Sequence, residues 1–328
     1  MSGGARHAAG EGPRGPDEPA GRGTRPVRPR PGDRVAVVAP SGPVDPDRLE
    51  TGCTLLRDLG FEVALGEHVF DRAGLDDVPA DQGRLAGADT DRAADLRAAW
   101  CDPEIRAVVC ARGGYGATRV LAHLDWAALA AAEPKILHGS SDITALHAAF
   151  GTRLGVTTSF GPMVATPFAA DDPERARAAL AAALLGGSGP LRGTRAIRSG
   201  RARGPLTGGT LSLLTALLGT PYAPAPATGA IAVLEDVGEA PYRVDRMLVQ
   251  LLQAGWFDGV AGVALGTWSG CGDQAELDAV LAARLGGLGV PVLAGLPVGH
   301  GSRQSTVELG APAELDAGAG TLTPGGAG

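Results

Sequence analysis

The stretch Arg34-Val35-Ala36-Val37-Val38-Ala39 decides the fold class. Its short, almost wholly apolar run predicts a strand buried on both faces, as in a parallel sheet. After a Pro-Gly turn, Asp45-Pro46 predicts the N-cap and first residue of a helix that ends at Gly60. Residues 61–65 predict the next strand. A strand–helix–strand unit of this kind indicates parallel strands joined by a right-handed crossover.

The alternation continues through two parts of the chain. In the first, residues 107–110 and 135–137 predict further strands, each followed by a glycine-containing turn and a helix. In the second, predicted strands lie at 230–234, 260–265 and 290–293, with helices between them. We therefore predict an α/β protein with an N-terminal domain at 32–165 and a smaller C-terminal α/β domain at 206–317.

Three segments lack this periodicity. Residues 1–31 hold six Arg and three acids among Gly and Pro, which predicts a disordered basic tail. Residues 166–205 are rich in Ala, Gly, Arg and Pro, which predicts a helical stub and a linker. Residues 318–328 predict a frayed C-terminal tail.

Composition excludes several classes of protein. No apolar run approaches the roughly 18 residues of a spanning helix, so we expect no membrane partner. The formal net charge of −7 argues against nucleic acid as a partner. The four cysteines form no C-x-x-C pair and no His lies at zinc-ligand spacing from them, so we expect no metal and no disulfide framework. The chain begins without the apolar segment of a secretory signal, and we expect a cytoplasmic protein.

Ligands of open parallel sheets bind beyond the carboxyl ends of the strands, so the residues just after each predicted strand are the candidates for chemistry. Gly139-Ser140-Ser141-Asp142 places a serine at a sharp turn and at the start of a helix, where developing negative charge is stabilised. The alternative is that Ser141 or Asp142 only caps that helix. Arg112-Gly113-Gly114-Tyr115-Gly116 could offer backbone amides to an anion, or be a plain strand-to-helix turn.

A third candidate combines Glu235, at the end of a predicted strand, with His300 between two glycines. Histidine is the usual base for a serine nucleophile, and a carboxylate orients it. Asp236 and Glu239 compete with Glu235 for that role, and a lone loop histidine is more often a solvated surface residue. All three tyrosines occur in Gly- or Pro-marked segments, which suggests that they share a site; they are Tyr115, Tyr222 and Tyr242.

Six segments in order resemble the LD-carboxypeptidases, a family of serine peptidases that includes muramoyltetrapeptide carboxypeptidase and the microcin C immunity peptidases. They lie between about Val35 and Leu315: VAVVAPSGPV at 35–44, LAGADTDRAADLRAAWCDPEIRAVVCARGGYGATRVL at 85–121, PKILHGSSDITALH at 134–147, LTGGTLSLLTALLGTPY at 206–222, LEDVGEAPYRVDRMLVQLL at 234–252 and GLPVGHG at 295–301.

The resemblance implies a catalytic triad of Ser141, Glu235 and His300, with the backbone amides of Gly114 and Asp142 as oxyanion donors. It implies a Rossmann-like parallel-sheet domain that carries the serine, a smaller domain that supplies Glu and His, and an active site at their interface. It also implies a homodimer without cofactor or metal.

The substrate that the resemblance implies is a cell-wall (murein) tetrapeptide, cleaved at the L,D-amide bond before its terminal D-Ala. A carboxypeptidase has to recognise the chain end, so a cation must read the terminal carboxylate. We expect Arg112, which adjoins the predicted oxyanion turn, to do so; the alternative is a surface salt bridge.

The sequence departs from the family pattern at three positions. Ser140 replaces the Tyr before the nucleophile, Phe160 replaces the His of an H-G-P motif, and Thr210 replaces the Asn after the paired glycines. These changes leave room for other functions. One is a microcin C-type immunity peptidase that cleaves peptidyl-sulfamoyl adenylates. Another is a catalytically silent module that binds muropeptides, since fold does not fix function. An amidotransferase-like domain is disfavoured, because it would carry Cys at the turn.

Overall fold

The computed structural model describes residues 23–74, 83–166 and 171–325. The first half is a five-stranded parallel sheet in the order β2-β1-β3-β4-β5. Its strands are β1 (Arg34–Val38), β2 (Glu62–Leu65), β3 (Ile105–Cys110), β4 (Ile136–Gly139) and β5 (Thr158–Phe160). Its helices are α1 (Pro46–Asp58), α2 (Asp89–Cys101), α3 (Ala117–Val120), α4 (Trp126–Ala131) and α5 (Thr144–Leu154). This is the parallel α/β half that the sequence predicts.

Strand β1 shows why the decisive stretch is apolar at almost every position. Val35 and Val37 point into one core cluster, and Ala36 and Val38 into another on the opposite face of the sheet. Consecutive residues of a strand face opposite sides, so a central strand covered by helices on both sides needs an apolar residue at each position. The predicted N-cap is also present, because the Asp45 carboxylate accepts hydrogen bonds from the two amides that follow at 47 and 48.

The second half is a smaller parallel sheet, β8-β9-β10-β11, covered by helices. Its strands are β8 (Arg201–Thr210), β9 (Ile231–Val237), β10 (Gly262–Ser269) and β11 (Val292–Ala294), and its helices are α7 (Leu211–Ala216), α8 (Pro241–Gln253) and α9 (Gln274–Leu285). The chain is thus a mixed α/β protein with a large, mostly parallel sheet.

One strand, β12 (Val307–Leu309), joins the two sheets. It pairs antiparallel with β5 and, at Leu309, parallel with β8, so that the strands of both halves form one continuous sheet. At the same junction the amide of Thr210, at the end of β8, donates to Thr144 Oγ1 at the start of α5 (3.0 Å). The last strand of the first half and the first long strand of the second are therefore held together.

Part of the predicted linker at 166–205 is built into the fold. Residues 167–170 lie outside the described residues, but α6 (Pro173–Leu184) packs Ala176 and Leu180 into the same core cluster as β1. Two short strands follow, β6 (Leu191–Arg192) and β7 (Arg195–Arg198), and β7 pairs antiparallel with β11 at the edge of the second sheet. Weak periodicity hid this because α6 uses alanines for much of its apolar face.

The expected disorder of the tails does not hold where the structure describes them. Thr24 exchanges backbone hydrogen bonds with Gly155 and Thr157, and Arg25 and Arg28 form ion pairs with Glu308. Residues 1–22 of the predicted tail lie outside the described residues. Backbone pairing and charge hold this segment, and neither requires the large apolar side chains that it lacks.

The C-terminal segment is also paired. Strand β13 (Pro312–Asp316) pairs with the first half of β8, and β14 (Thr321–Pro324) pairs with β13 and β6. The expected fraying therefore fails for 321–324, and 326–328 lie outside the described residues. Across the described segments, we find no helix with the length and apolar character that a bilayer crossing requires.

Candidate active site

The turn after β4 holds Ser141 in a strained backbone conformation. Its φ is +60°, and it is the one non-glycine residue with positive φ among the residues that the structure describes. Such a conformation costs on the order of 1–3 kcal/mol, and the surrounding structure must enforce it. A short 3-10 helix (Ser141–Ile143) follows and leads into α5. A serine is thus presented at a sharp turn and at the start of a helix, as the sequence predicts.

The glycine turn after β3 lies directly against this serine. A Cβ atom placed on Gly113 would lie 2.8 Å from Ser141 Cβ, 3.1 Å from Ser141 Oγ and 3.3 Å from the Asp142 amide nitrogen. The next residue, Gly114, has a φ of +115°, which side chains rarely permit. Among the described backbone hydrogen bonds, neither the Gly114 amide nor the Asp142 amide is a donor. Both amides are therefore free to bind an anion.

The Asp142 side chain does not cap its own helix. It is 3% exposed, and its Oδ2 accepts hydrogen bonds from Ser41 Oγ (2.7 Å) and from the Ala117 amide (2.8 Å). Ser41 lies in the loop after β1, and Ala117 begins α3 after the glycine turn. The capping alternative considered from the sequence thus does not describe Asp142, which joins its own turn to two others.

In the second half, Glu235 and His300 form a hydrogen-bonded pair. Glu235 lies near the end of β9 with no exposed surface, and its Oε2 accepts from His300 Nδ1 (2.7 Å) and from the His300 amide (3.2 Å). Its Oε1 accepts from Thr210 Oγ1 (2.5 Å). Gly299 has a φ of +102°, and a Cβ atom there would overlap Glu235 Oε2. The carboxylate therefore fixes the ring, and Nε2 has no hydrogen-bond partner among the residues that the structure describes.

The charge of Glu235 also sets the proton affinity of His300. Burial lowers the pKa of His300, but the hydrogen bond to Glu235 and its negative charge outweigh that effect and leave the pKa above its ordinary value. An imidazole in this setting is a stronger base than a solvated one. This arrangement is what a general base needs: a fixed ring with one free nitrogen.

The structure decides between the three acids that compete for this role. Asp236 accepts from the Ser212 amide (2.8 Å) at the start of α7, and burial raises its pKa to about 6. Glu239 forms an ion pair with Arg243 (3.6 Å). Only Glu235 among them contacts His300 in the described part of the chain.

Residues from both halves line one open cleft of about 580 Å³. Ser141 and His300 both belong to its wall, together with Gly113, Gly114 and Arg112. No hydrogen bond joins the Ser141 hydroxyl to the imidazole among the described residues. The structure therefore brings Ser141 and His300 to one cleft, and the buried Glu235 is hydrogen-bonded to His300 behind its wall.

Arg112 has no acidic partner among the described residues. Its guanidinium donates to two backbone carbonyls, those of Pro43 (3.1 Å) and Gly113 (3.2 Å), rather than forming the surface salt bridge considered as an alternative. Burial and the nearby charge of Arg48 lower its pKa. Arg48 also lines the cleft and was not predicted from the sequence. The wall of the same cleft also includes two acidic residues, Asp171 and Asp172.

Sequence reasoning missed two supporting residues. Ser41 follows β1, so the rule of inspecting residues after strands would have included it. Thr210 was noted only as a departure from the family pattern, yet its hydroxyl hydrogen-bonds Glu235. The other two departures lie in different settings: Ser140 lines the cleft, and Phe160 is buried in β5 near His147.

The predicted grouping of the tyrosines is wrong. Tyr222 packs against Trp126 and Arg153, whereas Tyr242 is 59% exposed beside Arg243. Tyr115 is exposed on the glycine turn, and none of the three lines the cleft as described. Turn signals place these residues near strand ends, but they do not fix the direction of a side chain.

A separate cluster of His68, Asp71 and Asp91 brings three potential metal-ligand atoms within 4.8 Å of one another. His68 Nδ1 is already hydrogen-bonded to Asp71 (2.8 Å), and none of the three residues lines the cleft. The cluster is therefore separate from the candidate active site.

Family models match both halves of the chain. The LD-carboxypeptidase N-terminal domain matches residues 35–161, and the LD-carboxypeptidase C-terminal domain matches residues 203–315. The chain belongs to the LD-carboxypeptidase family. The resemblance found in its motifs is thereby confirmed, and the chain is a peptidase of this family.

Curated relatives span nearly the whole chain. A putative carboxypeptidase of Streptomyces coelicolor is 52% identical over 91% of this chain and 95% of its own length. The murein tetrapeptide carboxypeptidase of Pseudomonas aeruginosa is 34% identical over 86% of this chain and 93% of its own length. These relatives therefore match the chain across both of the regions that the family models cover.

Solved structures share the two-domain fold. The muramoyltetrapeptide carboxypeptidase of Oxalobacter formigenes has a TM-score of 0.71 at 28% identity, covering 89% of this chain and 97% of its own. MccF in complex with glutamyl sulfamoyl guanosine has a TM-score of 0.78 at 22% identity, covering 92% and 98%. The second similarity is one of fold alone.

Proposed function

We propose that this LD-carboxypeptidase is a serine-type enzyme that hydrolyses the L,D-amide bond of murein tetrapeptides and releases terminal D-Ala. The observation that carries the proposal is the cleft itself: it joins a strained serine, two free backbone amides and an imidazole held by a buried carboxylate. The names of the Pseudomonas and Oxalobacter relatives support the choice of substrate.

In the proposed reaction, Glu235 holds His300 with its proton on Nδ1, so that Nε2 takes the proton of the Ser141 hydroxyl. Ser141 Oγ then bonds to the carbonyl carbon of the scissile amide. The amides of Gly114 and Asp142 donate to the resulting oxyanion. The imidazolium returns its proton to the leaving amine of D-Ala, and water, activated by His300, releases the acyl group from Ser141.

The Ser141–His300 hydrogen bond is proposed to form when substrate closes the cleft. Catalytic hydrogen bonds are often long before substrate binds. The two residues belong to different halves of the molecule, and each is already placed on the wall of the same cleft. In the proposed closed state, an approach of the two halves completes the triad.

Recognition of the chain end is assigned to Arg112. The terminal carboxylate of the substrate would bind its guanidinium, with Arg48 adding a second positive charge. The absence of an acidic partner for Arg112 in the described part of the chain leaves its charge available to a ligand.

The deciding experiment compares two adjacent serines. Ser141→Ala is expected to lower the rate of D-Ala release from a murein tetrapeptide by roughly 10⁴-fold or more, because the nucleophile is lost. Ser140→Ala, the matched control in the same turn, is expected to retain most of the turnover. Full activity of Ser141→Ala would overturn the proposal.

Two other functions are tested with the same protein. A microcin C-type immunity peptidase binds a nucleoside, yet no Phe, Tyr or Trp lines the cleft as described. Faster hydrolysis of a peptidyl-sulfamoyl adenylate than of tetrapeptide would favour that function.

The second alternative is a catalytically silent binding module. It would bind tetrapeptide, but a fluorophosphonate would not label its Ser141. The homodimer implied by the resemblance stays a prediction.

A further inference from the structure

Three loops, which follow β1, β3 and β4, meet next to the proposed oxyanion hole on the side of the Asp142 side chain. The hole itself uses two of them: Gly114 belongs to the loop after β3, and Asp142 to the turn after β4. Nothing in the local sequence fixes the distance between these two donors, since 28 positions separate them along the chain. A precise oxyanion hole needs both amides within hydrogen-bond reach of one oxygen atom.

A single buried oxygen atom joins all three loops. Asp142 Oδ2 accepts from Ser41 Oγ in the first loop (2.7 Å) and from the amide of Ala117 (2.8 Å), three residues after Gly114. The amide of Gly42 donates to the carbonyl of Gly113 (3.2 Å), which joins the first two loops a second time. The carboxylate thus lies where the three loops converge.

The buried guanidinium of Arg92 holds two of the same three loops by hydrogen bonds. Arg92 of α2 is 1% exposed, and its Nη1 donates to the carbonyls of Pro40 (2.5 Å) and Gly116 (3.0 Å). These carbonyls belong to the loops after β1 and β3. The positive charge of Arg92 also favours the ionised form of Asp142, partly opposing the burial that raises its pKa.

The buried carboxylate has a cost that simple packing does not explain. Removing a charged group from water is unfavourable unless hydrogen bonds and opposite charge compensate it. A helix cap would need only a partly exposed side chain, and Asp142 makes no hydrogen bond to its own helix in the described structure. Its contacts instead run to the two other loops.

We propose that the Asp142 carboxylate, together with the Ser41 hydroxyl, is a positioning unit that sets the relative placement of the two oxyanion donors. The unit does not touch the substrate. It acts by holding the Gly113-Gly114 turn against Ser141 in the free enzyme, so that no rearrangement is needed when the oxyanion forms. This inference rests on the proposed function, because it assigns a role within the same reaction.

The experiment measures kcat and KM for Asp142→Ala, Asp142→Asn and Ser41→Ala with a murein tetrapeptide. It also measures the binding of two inhibitors. One is a phosphonate analogue with a tetrahedral anion at the scissile position, and the other is a reduced-amide analogue that has no oxygen there. The control is Asp95→Ala, which removes another buried carboxylate of the first half, one that accepts from the His68 amide (2.9 Å) and lies outside the cleft lining.

Asp142→Ala is expected to lower kcat roughly 100-fold with little change in KM, since misplacement by about 1 Å has that effect. Its affinity for the phosphonate should fall in parallel, while its affinity for the reduced amide stays the same. Asp142→Asn should recover most of the loss, because one amide oxygen can accept both hydrogen bonds. Ser41→Ala should show a smaller loss of the same kind, and Asp95→Ala should keep its kcat.

Unchanged kcat in Ser41→Ala and Asp142→Ala would overturn the positioning role, and so would equal weakening of both analogues. If Asp142→Ala does not fold, Ser41→Ala and Asp142→Asn decide the question by the same criteria. The proposed function fails separately: its failure is an active Ser141→Ala enzyme, whereas the positioning unit fails when Ser141→Ala is inactive and both Ser41→Ala and Asp142→Ala keep their kcat.

Discussion

The two halves of the cleft fix the positions of their functional groups in different ways. In the first half, backbone geometry dominates: Ser141 has a positive φ, and Gly113 lies so close to it that a side chain would collide. In the second half, side-chain hydrogen bonds dominate, since Glu235 holds His300 and is itself held by Thr210. In the proposed reaction, the first half supplies a rigid turn for the nucleophile and the oxyanion donors, and the second half supplies the base.

Two neighbouring acids of the second half show how strictly position decides role. Glu235 and Asp236 are both buried in β9, but consecutive strand residues face opposite sides of a sheet. Glu235 therefore faces the imidazole, whereas Asp236 binds the start of α7. A carboxylate one position along the strand performs a structural task instead of an electrostatic one.

Glu235→Gln tests this contrast with the largest expected effect. Loss of the negative charge beside the imidazolium, and of the fixed ring tautomer, is expected to lower kcat by about 10³- to 10⁴-fold. Steady-state D-Ala release provides the measurement.

The matched control for Glu235→Gln is Asp236→Asn on the same strand. It is expected to lower the melting temperature more than the turnover, because it weakens the capping of α7. Comparable losses of turnover in the two variants would show that the distinction between these acids is mistaken.

Gly113→Ala tests the backbone geometry of the first half. The added methyl would lie 2.8 Å from Ser141 Cβ, so the turn and the serine must move apart, and we expect a loss of turnover of roughly 100-fold. Gly151→Ala in α5 is the matched control, because a Cβ there meets nothing within 4 Å. That control should be fully active and more stable by about 0.5–1 kcal/mol. An active Gly113→Ala enzyme would mean that the close approach is not required.

The pKa values of the histidines in the two halves should be shifted in opposite directions from the ordinary value. Burial lowers the pKa of His138 and of His147 to about 4, whereas Glu235 holds the pKa of His300 above its ordinary value. A base must be neutral to accept a proton, so kcat/KM should fall as the pH decreases through the raised pKa of His300, before the buried pair titrates.

NMR titration of the imidazole nitrogens checks this order, with His300→Gln used to assign the active-site signal. The Glu235→Gln variant should move the acidic limb of the kcat/KM profile to lower pH. A limb that stays in place would indicate that Glu235 does not set the basicity of His300.

Many of the strands and turns of this protein can be predicted from the pattern of neighbouring residues. The run at 34–39 predicts a buried strand because a central strand has two covered faces, and Gly139-Ser140-Ser141-Asp142 predicts a strand-to-helix turn because of its glycine and its capping residues. The described parts of the two tails, 23–31 and 318–325, differ from the expectation for a related reason. Composition reports the apolar surface that a segment can bury, but the pairing of Thr24 with Gly155 depends on a partner far along the chain.

By itself, the sequence indicated the alternation of strands and helices in the two sheets, the turns after β3 and β4, and the family. The tertiary structure alone decided which acid holds His300, 65 positions away, and that Asp142 binds Ser41 across 101 positions. Local preference for a turn or a strand is set by neighbouring residues, and spacing reveals it. A hydrogen bond between distant loops depends on the direction of each side chain after the sheet has assembled, and spacing along the chain does not encode that direction.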